Sequence, residues 1–410
     1  MKILTQVALV FLSTIMLFSQ QETHDVSVIN IEIPVRVFQG DIFVDDLSLK
    51  DFEVYEDGKK QKIEAVYLVK KTNIAREEGN RQFAPEVARN FILFFEITDF
   101  LPRIVKALDY FFENVIQPGD ELTIITPIKT YHLKSRALEV KSKEEILDQL
   151  RTIIRRDTMI GSAEYRSAIT ELEKVARILS QSISEGQEQS TSTNVEEFST
   201  NTEEEQPLDM QITRYRNLLS KMENIRTINQ KKMMDFAEYL KEKTGQKYVY
   251  VFYEREYIPK IENRILNQYL YMHQGRPDVI HSIMDLFDFY KRSIPFNLDT
   301  VKRVYADSAI SIHFLFITPP PPHISGITFA EQSEDIYSAF REMADSTGGL
   351  SDTSSNAEAS LKRAIQASEN YYLIYYTPSN YKRDGKFRKI EVKVKNRNLR
   401  VSFRAGYIAH

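Results

Sequence analysis

The stretch Asn90–Thr126 constrains this chain more than any other. It reads NFILFFEITDF, LPRIVKALDYFFENVI, QPGD and ELTIIT in turn. Phe91 to Phe95 is an unbroken apolar run, which suits a strand buried on both faces of a parallel sheet. Glu96, Thr98 and Asp99 end that run, so polar side chains crowd the strand's carboxyl end. Asp99 stands where it can cap the next helix, and Pro102 fits the first turn. Leu101, Ile104, Val105, Leu108, Phe111, Phe112 and Val115 then recur at helical spacing, with Arg103, Lys106, Asp109 and Glu113 on the other face. Pro118-Gly119 breaks the helix, and Glu121 to Thr126 opens a second strand. Open α/β sheets hold their ligands at such strand ends.

With 410 residues the chain can build two domains with substantial cores. A formal net charge of −4 gives no basic field, so no nucleic-acid partner is expected. Lys2, the apolar segment Val7 to Phe18 and the polar Ser19-Gln20-Gln21 read as an export signal over residues 1–20, the alternative being a retained N-terminal membrane anchor. No later apolar run reaches the length of about 20 residues that a membrane span needs. Without any cysteine there is neither a lipid-attachment site nor a disulfide. The expected location is therefore outside the cytoplasm, periplasmic or secreted.

Residues 24–72 alternate as strands. Ile29, Ile31, Ile33, Val35 and Val37 share one face, with Pro34 on the other as in an edge strand. Asp57-Gly58 suits a tight hairpin turn. At the far end, over residues 379–410, Ile390, Val392 and Val394 alternate with charges, and Leu399, Val401 and Phe403 follow as the second arm of a hairpin. These two ends are expected to pack as a small β-sandwich into which an α/β domain, residues 83–378, is inserted. Within that domain a strand is expected near Tyr131–Lys134, a helix over Lys143–Arg155, a loop over Arg156–Ser162 and a further helix through Leu179. Residues 181–210 lack Lys and Arg and are rich in Ser, Thr, Glu and Gln, which predicts a disordered acidic loop. A helical pattern resumes over Ile212–Glu242. Lys247 to Tyr253 is a buried strand ending in Glu254-Arg255-Glu256. Helices near Val279–Tyr290 and Asp299–Tyr305, a strand over Ala309–Thr318 and a helix over Ser333–Ser346 stopped by Gly348-Gly349 come next. After a helix over Asn356–Ser368, NYYLIYYTP is the domain's final strand.

In this order, the segments IEIPVRVFQGDIFVDDLSLKDFEVYEDGKKQKIEAV, NFILFFEITDFLPRIVKALDYFFENVIQPGDELTIITP, KYVYVFYERE, MADSTGGL and YYLIYYTPSNYKRDGKFRKIEVKVKNRNLRVSFRAGYIA resemble the von Willebrand factor type A family, and more closely the bacterial exported proteins described as VWFA-related. The resemblance implies an α/β fold, a doubly wound and mostly parallel sheet with helices on both faces, flanked by the β-sandwich. Members of the family are mostly binding and adhesion modules. Their divalent-cation site uses Asp-x-Ser-x-Ser after the first strand, plus a Thr and an Asp from two further loops. Here Glu96 replaces the Asp, Thr98 keeps a hydroxyl, Phe100 removes the third ligand, Thr158 or Ser162 supplies the loop hydroxyl, and Glu254 stands near the last acid. The candidate metal ligands are thus Glu96, Thr98, Thr158 and Glu254 in a degenerate site, with no cofactor expected and Mg²⁺ or Ca²⁺ as the ions such oxygens would take. The alternative pairs Glu96 and Glu254 with Arg255 or Arg156 at the sheet rim.

Catalytic signals are thin. The seven histidines lack zinc-ligand spacing, and no GxGxxG, GxxxxGK[ST] or GxSxG occurs. The leading expectation is an exported, non-catalytic protein-interaction module with a protein partner in the cell envelope or outside the cell. A cation-dependent adhesion module is the second reading, and an envelope enzyme with an unrecognised site the third.

Overall fold

The computed structural model describes residues 29–410 apart from 81–82, 186–207, 226–227, 273, 276, 278–279, 282–283, 285–295, 321–323, 325–326 and 332. The export segment and most of the expected acidic loop lie outside the described residues, as does most of the expected Val279–Tyr290 helix, of which 280, 281 and 284 are helical.

The amino-terminal strands are β1 (Ile31–Gln39), β2 (Ile42–Phe43), β3 (Phe52–Glu56), β4 (Lys59–Gln61), β5 (Ile63–Lys70) and β6 (Asn73–Gly79). Then come β7 (Arg89–Glu96), α1 (Pro102–Asn114), β8 (Glu121–Ile125), β9 (Thr130–Leu133), α2 (Ser135–Val140), α3 (Lys143–Gly161), α4 (Ala163–Glu185), α5 (Leu208–Ile225) and α6 (Gln230–Lys241). The next group is β10 (Gln246–Glu254), β11 (Tyr257–Ile261), α7 (Asn263–Met272), α8 (Leu298–Asp307), β12 (Ile310–Ile317), β13 (Ile327–Glu331), α9 (Glu334–Thr347), β14 (Ser351–Ser354) and α10 (Ala357–Gln366). The chain closes with β15 (Asn370–Tyr376), β16 (Phe387–Val394), β17 (Arg400–Ser402) and β18 (Gly406–Ile408).

A mixed sheet in the order β14-β12-β10-β7-β8-β9 carries the apolar runs at its centre. All of β10 and all of β12 are buried, as continuous apolar strands between two helical layers must be. On one face Phe91, Leu93, Phe95, Tyr250 and Phe252 pack with α1, α3 and α10; on the other Ile92, Val249, Val251, Phe314 and Phe316 pack with α6, α8 and α9. Phe95 and Phe252 stack at 4.9 Å between neighbouring strands, and full burial of such a side chain contributes about 1.5–3 kcal/mol.

The doubly wound, mostly parallel fold class expected from the sequence is corrected here. Only four strand pairings are parallel among the described residues, all in this one sheet, and its last strand β9 runs antiparallel to β8. The other sheets are antiparallel, one of them a curled half-barrel. The clearest misplacement is NYYLIYY. Expected in the α/β domain, β15 instead runs antiparallel between β1 and β5, with Ile33 opposite Ile374 and Leu373 opposite Tyr67. A strand buried on both faces carries the same apolar run in either kind of sheet, so periodicity cannot give its direction. The expected carboxyl-terminal hairpin is likewise divided: β16 pairs with β3 and β18, and β17 with β1. Between these layers Ile33, Val35, Val54, Ile374, Ile390 and Val392 form a common core.

Local signals acted as their chemistry requires at two turns. Asp57 (φ 48°) and Gly58 (φ 80°) make the β3–β4 turn, and Gly348 (φ 72°) ends α9 in the left-handed conformation.

Candidate functional site

Register decides what meets at the carboxyl edge of the mixed sheet. Phe95 lies opposite Phe252 and Glu96 opposite Tyr253 in the parallel β7–β10 pair. Glu254 is therefore one step out of phase with Glu96. Side chains alternate along a strand, so Glu254 follows Phe252 to the α1 face and Glu96 follows Phe94 to the α6 face. The four expected ligands do not converge.

Glu254 is buried and already engaged. Its Oε2 accepts bonds from Thr98 N at 2.8 Å, Thr98 Oγ1 at 2.8 Å and Asp99 N at 3.3 Å, which clamps the β7–α1 loop onto β10. Burial pushes its carboxyl above the usual range, against the lowering effect of those donors. Glu96 is solvent-accessible, yet surrounding protein raises its carboxyl as well. No hydrogen bond or ion pair to Glu96 is made among the described residues.

Thr158 was expected in a loop, but α3 continues to Gly161 and encloses it completely. Its Oγ1 has no hydrogen-bond partner. Thr158 and Thr98 nevertheless meet through Ser162, whose Oγ lies 2.8 Å from Thr98 O and 2.7 Å from Thr158 O and donates to one of them at a time. Three of the four predicted residues, Thr98, Thr158 and Glu254, thus share one network, and Glu96 stands outside it. Phe100 packs against the core with the Arg155 guanidinium 5.9 Å from its ring. Asp99 does not cap α1; Leu101 is the N-cap, and Asp99 lies 3.6 Å from Arg166. Arg255 pairs with Glu331 and Arg156 with Asp157, so neither cation serves Glu96 or Glu254. No group of three or more acidic or histidine side chains is arranged to hold a metal ion among the described residues.

Sequence reasoning missed Asp157. It is buried on α3 and takes bonds from Thr126 Oγ1 (3.0 Å), Tyr131 OH (2.6 Å) and Arg156 Nε (3.0 Å). Burial raises its carboxyl, and the donors Tyr131, Arg156 and Thr126 more than offset that, leaving it below its ordinary value. Tyr131 lies on β9 and Thr126 just after β8, so no local spacing signals them, and Arg156 is the neighbouring residue on α3. Sequence reasoning also missed an apolar patch beside this network. Ile128, Met159 and Ile160 are 51%, 50% and 58% exposed. The Pro127-Ile128 turn lies against the end of α3 at Gly161, where an added methyl group would sit 2.5 Å from Pro127 Cβ and 3.5 Å from Ile128 Cδ1. Arg166 Nη2 donates to Met159 O on one side, and Arg156 and Lys129 gather at Tyr131 on the other.

Glu254→Ala is expected to destabilise the protein by about 2–3 kcal/mol, since buried amide donors lose their acceptor. Glu254→Gln keeps an acceptor without the charge. Because the folded carboxyl titrates above the unfolded one, its stability contribution is full below the unfolded pKa and lost as pH rises through the folded value. The Gln variant should therefore gain on wild type from acid to neutral pH, and urea unfolding at several pH values measures the trend. An unchanging difference between the two proteins would contradict the raised pKa.

Among the described residues no helix is long and apolar enough to cross a membrane. No family model, no curated protein and no solved structure matches this chain.

Proposed function

We propose that this chain is an exported, non-catalytic protein-interaction module whose docking surface is the Ile128–Met159–Ile160 patch. The observation that carries the reading is the exposure of three large apolar side chains on two segments that meet at Gly161. Isolated exposed apolar residues need no explanation, but several on segments that meet beside an ordered polar network suit a contact site. Arg156, Arg166 and Lys129 flank the patch, so the partner that fits it presents an apolar side chain bordered by carboxylates. Export rests on Lys2 and the Val7–Phe18 segment. The segment resemblance to exported VWFA-related proteins supports the same class of function.

The test places a photo-cross-linking side chain at position 160 in the full chain, with position 140 as control, because Val140 is 75% exposed on α2, before the start of α3, whereas Met159 and Ile160 are at the end of α3. The expected result is one discrete protein adduct at 160 and none at 140. Purified partner should then bind Ile160→Asp at least tenfold more weakly, with the variant's melting temperature unchanged. Equal binding by wild type and Ile160→Asp would overturn the docking surface. A turnover abolished by Glu96→Gln would overturn the non-catalytic reading.

A further inference from the structure

Arg36 lies on β1 at the seam between the half-barrel and the mixed sheet and is 1% exposed. Its Nε donates to Ser368 O and its Nη1 to Gly348 O, both at 3.4 Å, well beyond the ordinary length of about 2.9 Å. Among the described residues no carboxylate pairs with it. The contrast within the molecule is Arg89, equally buried, which grips Asp120 through two bonds. A guanidinium taken out of water without a counter-charge is strongly disfavoured.

Two of the phenols around Arg36 are donors in want of an acceptor. The Tyr371 ring centre lies 5.8 Å from the guanidinium carbon. The hydroxyls of Tyr371 and Tyr248, on residues 0% and 2% exposed, find no acceptor for their protons, and the Arg36 guanidinium stands beside the Tyr248 oxygen as a donor. Tyr250 OH is occupied by Ser368 Oγ at 3.1 Å. His313 stacks on Tyr250 at 5.0 Å and accepts the Leu350 amide at 3.2 Å. Burial and the Arg36 charge push His313 down to about 3, so it stays neutral and adds no second cation. Water could satisfy the two hydroxyls, but it would leave Arg36 without a bonded counter-charge, the carboxylates of Glu32 and Glu369 acting on this cluster only through space.

We propose that a small monovalent anion of the halide class is held between Arg36, Tyr248 and Tyr371 as a structural counter-ion that ties β1 and β15 to β10. It accepts from the guanidinium and both hydroxyls and closes the seam where two unlike sheets meet.

The test melts the full chain in sodium bromide and in sodium gluconate at equal ionic strength. A saturable rise in melting temperature with bromide, absent with gluconate, is expected. Tyr371→Phe and Tyr248→Phe should each raise the half-saturating bromide concentration at least tenfold. Arg36→Met should lose the bromide response; if it fails to fold, the two Phe variants decide. Bromide-soaked crystals should show an anomalous peak beside Arg36. Equal melting in both salts, a bromide response unchanged in the double Phe variant, or peaks at the surface alone (an adventitious ion only) would each overturn the proposal.

Discussion

Asp120→Ala should cost about 3–5 kcal/mol, because it strands a buried guanidinium. Arg89 opens β7 and Asp120 ends the α1–β8 turn, and both side chains are 3% exposed. Arg89 Nε reaches Asp120 Oδ1 at 2.9 Å and its Nη2 reaches Oδ2 at 2.6 Å, while Nη2 also reaches Val115 O at 3.2 Å. Asp120 Oδ2 further accepts the Gln117 amide at 2.7 Å, so the carboxylate fastens the turn as well as the strand. Its loss leaves Arg89 charged and enclosed with the Val115 carbonyl and the Phe91 ring, 5.0 Å away, in place of a carboxylate, and marginal folds of this kind have about 5–15 kcal/mol in total. The double variant Arg89→Met/Asp120→Leu removes both charges and should recover most of the stability, since apolar replacements of buried pairs are often neutral or better. Urea midpoints of the three proteins measure this. A mild Asp120→Ala phenotype would show that the turn is held by Pro118-Gly119 and packing alone.

That pair also shows what a sequence can and cannot disclose. The apolar runs Phe91–Phe95 and Tyr248–Tyr253 announced central strands because nothing but double-sided burial explains them. Asp57-Gly58 and Gly348 announced turns because few other residues take a positive φ. Partners distant along the chain left no such trace. Arg89 and Asp120 are separated by a whole helix, and each reads alone as a surface charge. Arg156–Ser162 looked like a loop because Asp157, Thr158 and Ser162 are polar, yet Asp157 and Ser162 bond to Thr126, Tyr131 and Thr98, which makes the polar face a buried one. Glu96 and Glu254 were both legible as strand-end acids. Their separation onto opposite faces depends on a one-residue register offset that only the paired strands reveal. The direction of β15 was illegible for a related reason: its run of Tyr, Leu and Ile satisfies two flanking layers whether its neighbours are parallel or antiparallel.

Buried tyrosines, three of them in that strand, set the second large effect, a steep collapse above about pH 10. Burial raises the phenols of Tyr250, Tyr305, Tyr371, Tyr375, Tyr376 and Tyr407 above their ordinary value, and Glu32 or Glu56 adds to the rise at Tyr375, Tyr376 and Tyr407. A phenol whose folded pKa exceeds the unfolded one contributes fully below about pH 10 and loses that contribution as pH climbs past it. Each such group contributes a slope of about 1.4 kcal/mol per pH unit. Six acting together approach roughly 8 kcal/mol per unit at their limit, enough to exhaust a total of about 5–15 kcal/mol within one or two units. Lys247 works in the opposite sense at lower pH. Its ammonium, buried against Ser308 O at 3.0 Å, is pushed down to about 8 by burial and by Arg404. Between pH 8 and about 10 the folded state then holds fewer protons than the unfolded one at this site, so stability rises with pH. Stability should therefore climb gently to a maximum near pH 9–10 and then fall abruptly, with Lys247→Met removing the climb and sparing the fall. Tyrosinate absorbance and far-ultraviolet ellipticity recorded in one alkaline titration provide the check, because buried phenols can ionise only as the fold is lost. Full ionisation of all 22 tyrosines at native ellipticity would show that these hydroxyls reach solvent without unfolding.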